Sequence, residues 1–516
     1  MAKSADPSLT NVFRSIGREQ PEPAATVVKG NVPQWLKGSF LRNGPGLFEV
    51  GSDSYNHVFD GLALLHRFDI LDGIITYQSK FLQSDVYKKN MATNRIVCSE
   101  FGTLAHPDPC KNIFQWFFSY FVPPLLEDNC NISWIQLGDE YYVCTESTNI
   151  RKADPKDLET GKRDDYQNYI AVNTATSHPH KLEDGSVINI GSSFGMRANY
   201  NIIRFPPANK GEEALKNASI DGSIPIRYRL YPSYYHSFAI TQNYVIFLEQ
   251  PLYLNVMKLA TAKFMGNTLQ NTLEYHPQCP AIFHIIEQES GKPIDVKFFS
   301  SAFFCFHHIN AYEHDGHIVL DVCAHNDIEI IESMSFSHLK KTTSGHIPIE
   351  VRRFVFPLAM NKDAPIGSNL VSLKNTDATA VKMPDHSIHV TGEKMAEKGV
   401  ELPVINYGLY NGKMYRYCYG VSDTADSLIK IDLLERTYRE WKDPQFHPSE
   451  PVFAPKPGAV EEDDGVILAN MLSLYENVSS YLLILDGRSF EEIARAEISV
   501  PLTFGMHGIW IKDLKS

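Results

Sequence analysis

Ile70-Leu71-Asp72-Gly73-Ile74-Ile75-Thr76-Tyr77 is the stretch on which the fold turns. β-Branched and aromatic residues flank an Asp-Gly pair, and Asp-Gly tolerates the positive backbone angles that a two-residue hairpin turn demands. The same grammar recurs along the chain. His317 to Val322 follows Asp315-Gly316, Gly465 to Leu472 follows Asp463-Asp464, and Tyr481 to Leu485 precedes Asp486-Gly487. Tyr141 to Cys144, Tyr244 to Leu248 and Met414 to Tyr419 are further runs of the same kind. Such strands occur in every quarter of the sequence, without the alternating helical segments that build parallel sheets. The chain is therefore expected to be all-β, a propeller or a large barrel, although no repeat with a fixed signature marks individual blades.

The bulk composition narrows the function. With 516 residues, 43% of them hydrophobic, the chain can bury a large core without disulfides or metals as staples. Pro and Gly are spread evenly, so one domain over residues 25–516 after a tail of residues 1–24 is the simplest division. A net charge of −13 with no clustered Lys or Arg argues against a nucleic-acid partner. Eight cysteines without a CxxC pair read as reduced thiols of an intracellular protein. The first twenty residues lack the apolar core of a secretory signal, and no apolar run reaches the roughly 18 residues that a membrane-spanning helix needs.

Two segments nevertheless suggest a membrane surface. Residues 113–126 are densely aromatic and apolar, with Phe114, Trp116, Phe117, Phe118, Tyr120, Phe121, Leu125 and Leu126 as candidate contacts, against the plainer reading of a buried core segment. Leu252 to Met265 places Val256 and Leu259 at helical spacing, with Phe264 near its end and Lys258 and Lys263 available to lipid phosphates. Cys110, just before the aromatic run, is a candidate acylation site. The expectation is peripheral attachment.

Nineteen histidines are too many for all to be functional, so context must select among them. Four lie beside strand-like runs in similar settings: Ser177-His178-Pro179-His180, Tyr234-Tyr235-His236-Ser237, Phe306-His307-His308-Ile309 and Gly505-Met506-His507-Gly508. Their wide separation is unlike zinc-finger spacing or a HExxH helix, and it suits a propeller, where each blade can send one residue to a common axis. Four neutral imidazoles would leave an octahedral iron(II) its full charge and two open positions, as an oxygenase requires. Zinc stays open as a second reading. Imidazole ligands need their other nitrogen held by an acceptor, and Glu146, Glu401 and Glu450, each in an apolar setting, are candidates.

These residues carry a resemblance to a known family. Phe40-Leu41-Arg42-Asn43-Gly44-Pro45-Gly46, Tyr55-Asn56-His57, Phe59-Asp60-Gly61, Pro107-Asp108-Pro109-Cys110-Lys111-Asn112 and Pro448-Ser449-Glu450-Pro451-Val452-Phe453 are similar to stretches of the carotenoid cleavage oxygenases, in their animal branch. The resemblance implies a seven-bladed β-propeller with a loop and helical cap over an axial metal site. It further implies iron(II) held by His178, His236, His307 and His507, which Glu146, Glu401 and Glu450 orient, with His180 and His308 ranked second. A carotenoid and dioxygen would be the substrates. Phe81-Leu82-Gln83-Ser84-Asp85 and Ser193-Phe194-Gly195 look like the eccentric-cleaving members, which implies attack at the 9′,10′ double bond. Central 15,15′ cleavage, retinyl-ester isomerohydrolysis and a non-catalytic carotenoid-binding propeller are the alternatives. The sequence departs from the pattern at Val58 and at Ser147-Thr148, positions that bear on substrate choice. By resemblance the compartment is the mitochondrion, with the cytosol as alternative, and oligomeric state is left unassigned.

Overall fold

Asp72 and Gly73 both adopt positive φ, 51° and 80°, and join strand Leu62–Leu71 to Ile74–Phe81 as the Asp-Gly reading predicts. Asp315 and Gly316 do the same between His308–His314 and His317–His325. Asp486-Gly487 behaves differently: Asp486 Oδ1 accepts hydrogen bonds from the Arg488 and Ser489 N–H groups, and the chain reverses through Phe490 at φ 61°. In this computed structural model the residues described are 9–107, 128–195, 198–208, 211–341, 348–359 and 363–512. Cys110 and the aromatic run from Phe114 to Leu126, expected at a membrane surface, lie outside them.

Seven sheets of four to six strands stand around one axis as the blades of a propeller. In chain order their innermost strands are Gly38–Leu47 with His507–Ile511, Ser133–Leu137, the short pair Thr174–Ala175 and His180–Lys181, Ala239–Ile240, His308–His314, Val400–Val404, and Phe446–Pro448 with Val452–Pro455. These define blades 1 to 7. Each blade packs both faces against its neighbours, so the core lies in layers between blades. Phe283, Phe354 and Leu320 fill one such layer between blades 4 and 5, and Phe40, Phe68, Leu468 and Ile484 another between blades 1 and 7. Burial on both faces is why His317–His325 and Gly465–Ser473 are buried at every residue, against the alternation of a one-sided sheet.

The ring closes twice. His507–Ile511 pairs antiparallel with Gly38–Leu47 at the axis, while Gln20–Ala25 and Val27–Gly30 pair with the outer strands of blades 1 and 7. Strand structure thus begins at Gln20, ahead of the boundary expected at residue 25. The helices Val256–Met265, Glu329–Ser333 and Phe336–Leu339 cap one end of the propeller. Among the described residues no helix is long and apolar enough to cross a membrane. Of the seven described cysteines, all but Cys279 are buried.

Two histidines away from the axis make the fold acid-sensitive. His66 hydrogen-bonds through Nδ1 to the Tyr77 hydroxyl at 2.8 Å, and His57 donates from Nε2 to the Ile331 carbonyl at 2.8 Å. Burial pushes them down to about 3 and about 4 respectively. A histidine held neutral in the fold contributes stability that is complete above its unfolded value of about 6.5 and is lost as pH falls toward the folded value. The two shifts correspond to roughly 5 kcal/mol for His66 and roughly 3 kcal/mol for His57 at their full extent. Denaturant midpoints are expected to fall steadily between about pH 6.5 and pH 4; a flat profile over that window would contradict the assignment.

Candidate metal centre

Each of the seven blades sends one residue to the axis. His507 opens the closing strand of blade 1, and Glu146 follows Glu140–Cys144 in blade 2. His178 sits between the two short inner strands of blade 3, and His236 and His307 directly precede the inner strands of blades 4 and 5. Glu401 lies in Val400–Val404 of blade 6, and Glu450 lies between the inner segments of blade 7. Four imidazoles and three carboxylates are thereby brought to one ring that no local sequence motif could assemble.

The imidazoles converge. His178, His236, His307 and His507 each offer a ring nitrogen within 4.8 Å of the others. His178 Nε2 and His236 Nε2 are 2.8 Å apart, and the His178 and His507 ring centroids are separated by 4.4 Å. Three of the rings are turned by carboxylates. His236 Nδ1–H donates to Glu146, His307 Nδ1–H to Glu401 Oε2 at 2.6 Å, and His507 Nδ1–H to Glu450 Oε1 at 2.7 Å. With Nδ1 protonated, each Nε2 carries its lone pair toward the axis, and His307 Nε2 is buried without any hydrogen-bond partner. A buried acceptor left so is costly unless something else binds it.

Electrostatics favour the neutral ligand forms. Burial pushes His178 well below the usual imidazole range, and the crowding of His507, His236 and His307 adds to it. Burial also lowers His307, outweighing the pull of Glu401. Burial alone would raise Glu401, but His307 and His325 hold it well below the usual carboxylate range. Uncharged His178 and His307, the latter backed by an ionised Glu401, fit a divalent cation, and four imidazole nitrogens are a donor set of the right type for one.

His180 and His308 stay outside the cluster. His180 shares Nδ1 with the Tyr407 hydroxyl and donates from Nε2 to the Phe238 carbonyl, while His308 Nδ1 engages Ser237 Oγ at 2.9 Å. Three residues that matter to the site were not singled out from sequence. Tyr234 OH donates to Glu146 at 3.0 Å, His325 Nε2–H donates to Glu401 Oε1 at 2.8 Å, and the Arg42 guanidinium stands 3.7 Å from Glu450 Oε2. Each carboxylate thus has a second partner of its own. A charged or hydrogen-bonding residue inside an apolar strand was the available signal, visible for Arg42 between Leu41 and Asn43 and for His325 after Cys323-Ala324.

The cluster opens onto a cavity of about 1520 Å³. Phe59, Phe101, Tyr234, Phe306, Phe504 and Met506 line it, and it reaches His236, His307 and His507. Val256 and Leu259 of the capping helix border it, while Met257, Phe264 and Met265 of the same helix are 56%, 59% and 71% exposed. Lys258, expected to be available to lipid, is paired with Glu274 at 2.6 Å.

Residues 13–512 match the family described as retinal pigment epithelial membrane protein. The mitochondrial carotenoid-cleaving dioxygenase of Macaca fascicularis is 43% identical over 529 residues, which cover 98% of this chain and 94% of that protein. The beta,beta-carotene 15,15′-dioxygenase of Rattus norvegicus is 44% identical over 520 residues, covering 97% and 91% respectively. Among solved structures, the cobalt-substituted apocarotenoid oxygenase of Synechocystis has a TM-score of 0.78 over 98% of both chains at 23% identity, a likeness of fold. A match that runs from Phe13 through the closing strand of blade 1 takes in all seven axial residues, and the chain belongs to the carotenoid cleavage oxygenase family.

Proposed function

We propose that the chain is a carotenoid-cleaving dioxygenase that holds iron(II) on His178, His236, His307 and His507 and splits the eccentric 9′,10′ double bond of its substrate. The observation that carries this reading is a cluster of four imidazoles, with no carboxylate among them, facing a large apolar cavity. Iron(II), when bound there, supplies the unpaired electrons that let ground-state dioxygen react with a closed-shell alkene. The chain does the rest. Glu146, Glu401 and Glu450 keep the Nδ1 protons and aim the Nε2 lone pairs at one point. Phe59, Phe101 and Phe306 give a water-insoluble polyene an apolar wall and keep bulk water from the reacting carbons. One oxygen atom ends on each carbon of the severed bond, so the products are an apocarotenal and a smaller carbonyl compound.

Support for the eccentric position comes from Phe81-Leu82-Gln83-Ser84-Asp85 and Ser193-Phe194-Gly195. The identity to the rat 15,15′-dioxygenase favours central cleavage as the second reading. The exposed Met257, Phe264 and Met265, on the helix that also borders the cavity, support a peripheral position at a membrane from which the substrate is drawn. Residues 113–126 and an acylated Cys110 would add to that contact. The printed name of the macaque relative supports a mitochondrial location.

Iron-loaded protein supplied with heavy-isotope dioxygen is expected to label both carbonyl products, whose chain lengths separate 9′,10′ from 15,15′ cleavage. Unlabelled products would remove the dioxygenase reading. Glu401→Gln is expected to weaken metal binding by about 10–100-fold, because the neutral amide turns an NH2 donor toward one of the two imidazole N–H groups, of His307 and His325, that the two carboxylate oxygens accept from. Competition against a chelator measures this, and an unchanged affinity would detach Glu401 from the site.

A further inference from the structure

Phe13 reaches the cavity from outside the blades. It follows the short 3₁₀ turn Leu9–Asn11, ahead of the strand that opens at Gln20, and with Leu9 it lines the cavity wall. The segment is held on both sides. Asn11 Nδ2 donates to the Leu474 carbonyl, just past the blade 7 strand Gly465–Ser473, at 2.8 Å. On the blade 1 side, the Ile16 N–H donates to the Gly46 carbonyl at 2.9 Å and the Phe48 N–H donates to Ser15 Oγ at 2.7 Å. Residues 9–16 thus strap blade 7 to blade 1. The Phe13 ring is 4% exposed and stands against Phe504 and His447, with ring centroids 5.1 and 6.3 Å away.

The place of this ring among the blades gives it a role. Phe13 belongs to the layer between blades 7 and 1, which in a ring of seven lies opposite blade 4. The capping helix Val256–Met265 is inserted within blade 4, between Tyr244–Glu249 and Ala281–Glu287. The cavity therefore runs from Val256 and Leu259, past the four-imidazole cluster, to Phe13, Leu339 and Phe504 on the far side. A conjugated polyene is a stiff rod, so the point at which its far end halts decides which carbons lie over the cluster. A misplacement of about 1 Å is enough to take a reacting carbon out of productive geometry.

On the carotenoid reading above, we propose that Phe13 is the end stop for the half of the substrate beyond the metal, and so a specificity-determining residue for the bond that is cut. The stop comes from the N-terminal strap and not from a blade, so its depth is set independently of the scaffold that holds the four histidines. A smaller side chain lets the rod slide deeper and lengthens the far fragment. A larger one shortens it.

The experiment supplies iron-loaded full-length protein with a symmetric carotenoid hydrocarbon and separates the products by chain length. Phe13→Ala and the milder Phe13→Leu are expected to displace cleavage to the next double bond in one direction, and Phe13→Trp in the other, one giving a more central pair of products and the other a more eccentric pair. The ratio of displaced to original products is expected to rise by about tenfold or more for Phe13→Ala. Val12→Ala, equally buried in the strap but not on the cavity wall, is expected to keep the wild-type products. Metal-free protein gives a readout that needs no turnover. There Phe13→Trp is expected to weaken binding of the full-length carotenoid by about tenfold, read from the shift of the polyene absorption band, and to leave unchanged the binding of a much shorter apocarotenal that need not reach residue 13. Equal loss for both lengths overturns the stop, as does a displacement in Val12→Ala as large as that in Phe13→Ala. Length-selective binding without cleavage supports the stop while removing the dioxygenase reading. Cleavage at the wild-type bond by Phe13 variants that are folded by circular dichroism does the reverse.

Discussion

His236→Ala is expected to abolish metal binding and cleavage together. The substitution removes the nitrogen 2.8 Å from His178 Nε2 and leaves three imidazoles around the point where the ion belongs. It also strands Glu146, whose carboxylate would keep only Tyr234 OH as a partner. Loss of an outer partner of a metal ligand costs about 10–100-fold in affinity, so loss of the ligand itself should exceed about 100-fold. Metal content after dialysis and turnover of a carotenoid both report it. His180→Ala is the matched control, since that ring is committed to Tyr407 and the Phe238 carbonyl and should leave the metal in place. If His236→Ala protein keeps iron and activity, or His180→Ala loses both, the ligand set is wrong.

Strand content was legible because Asp-Gly pairs at Asp72-Gly73 and Asp315-Gly316 state their turn chemistry locally. Blade count was not legible from repeats, because the blades are not copies of one another. Blade 4 borrows Ile388–Thr391 and Thr379–Lys382 from a segment inserted between the blade 5 strands Ile349–Pro357 and Glu393–Lys394, and the former pairs parallel to Phe298–Ser300. The inner edge of blade 7 is split in two. The outer closure was hidden for a different reason. Gln20–Ala25 contains Pro21 and Pro23, which argue against a strand in the middle of a sheet, yet an edge strand tolerates proline where its N–H would face away. The four histidines stood out because each is set among aromatic and small residues next to an apolar run. Their carboxylates could be named, but Tyr234, His325 and Arg42 become partners only when distant blades meet at the axis.

Arg42→Met is expected to destabilise the fold by about 3–5 kcal/mol, the usual result of removing one member of a buried ion pair. Arg42 is completely buried, and burial pushes it down to about 10 against the opposing pull of Glu450. Its guanidinium donates to the carbonyls of Glu450, Gly505 and Met506, which ties blade 7 to the segment that delivers His507. Gly505 makes room for it, since a Cβ there would stand 2.5 Å from Arg42 Nε. Without the cation, three buried carbonyls lose a donor and the Glu450 carboxylate is left with His507 Nδ1–H and the Gly508 N–H. The unfolding midpoint in denaturant measures the loss. A purely packing role predicts that Glu450→Gln adds its own cost to that of Arg42→Met. An electrostatic role predicts that the double variant is more stable than the sum of the single losses, because neutralising the anion removes the uncompensated charge that Arg42→Met creates. Strict additivity would mean that Arg42 holds His507 in place through the backbone carbonyls alone.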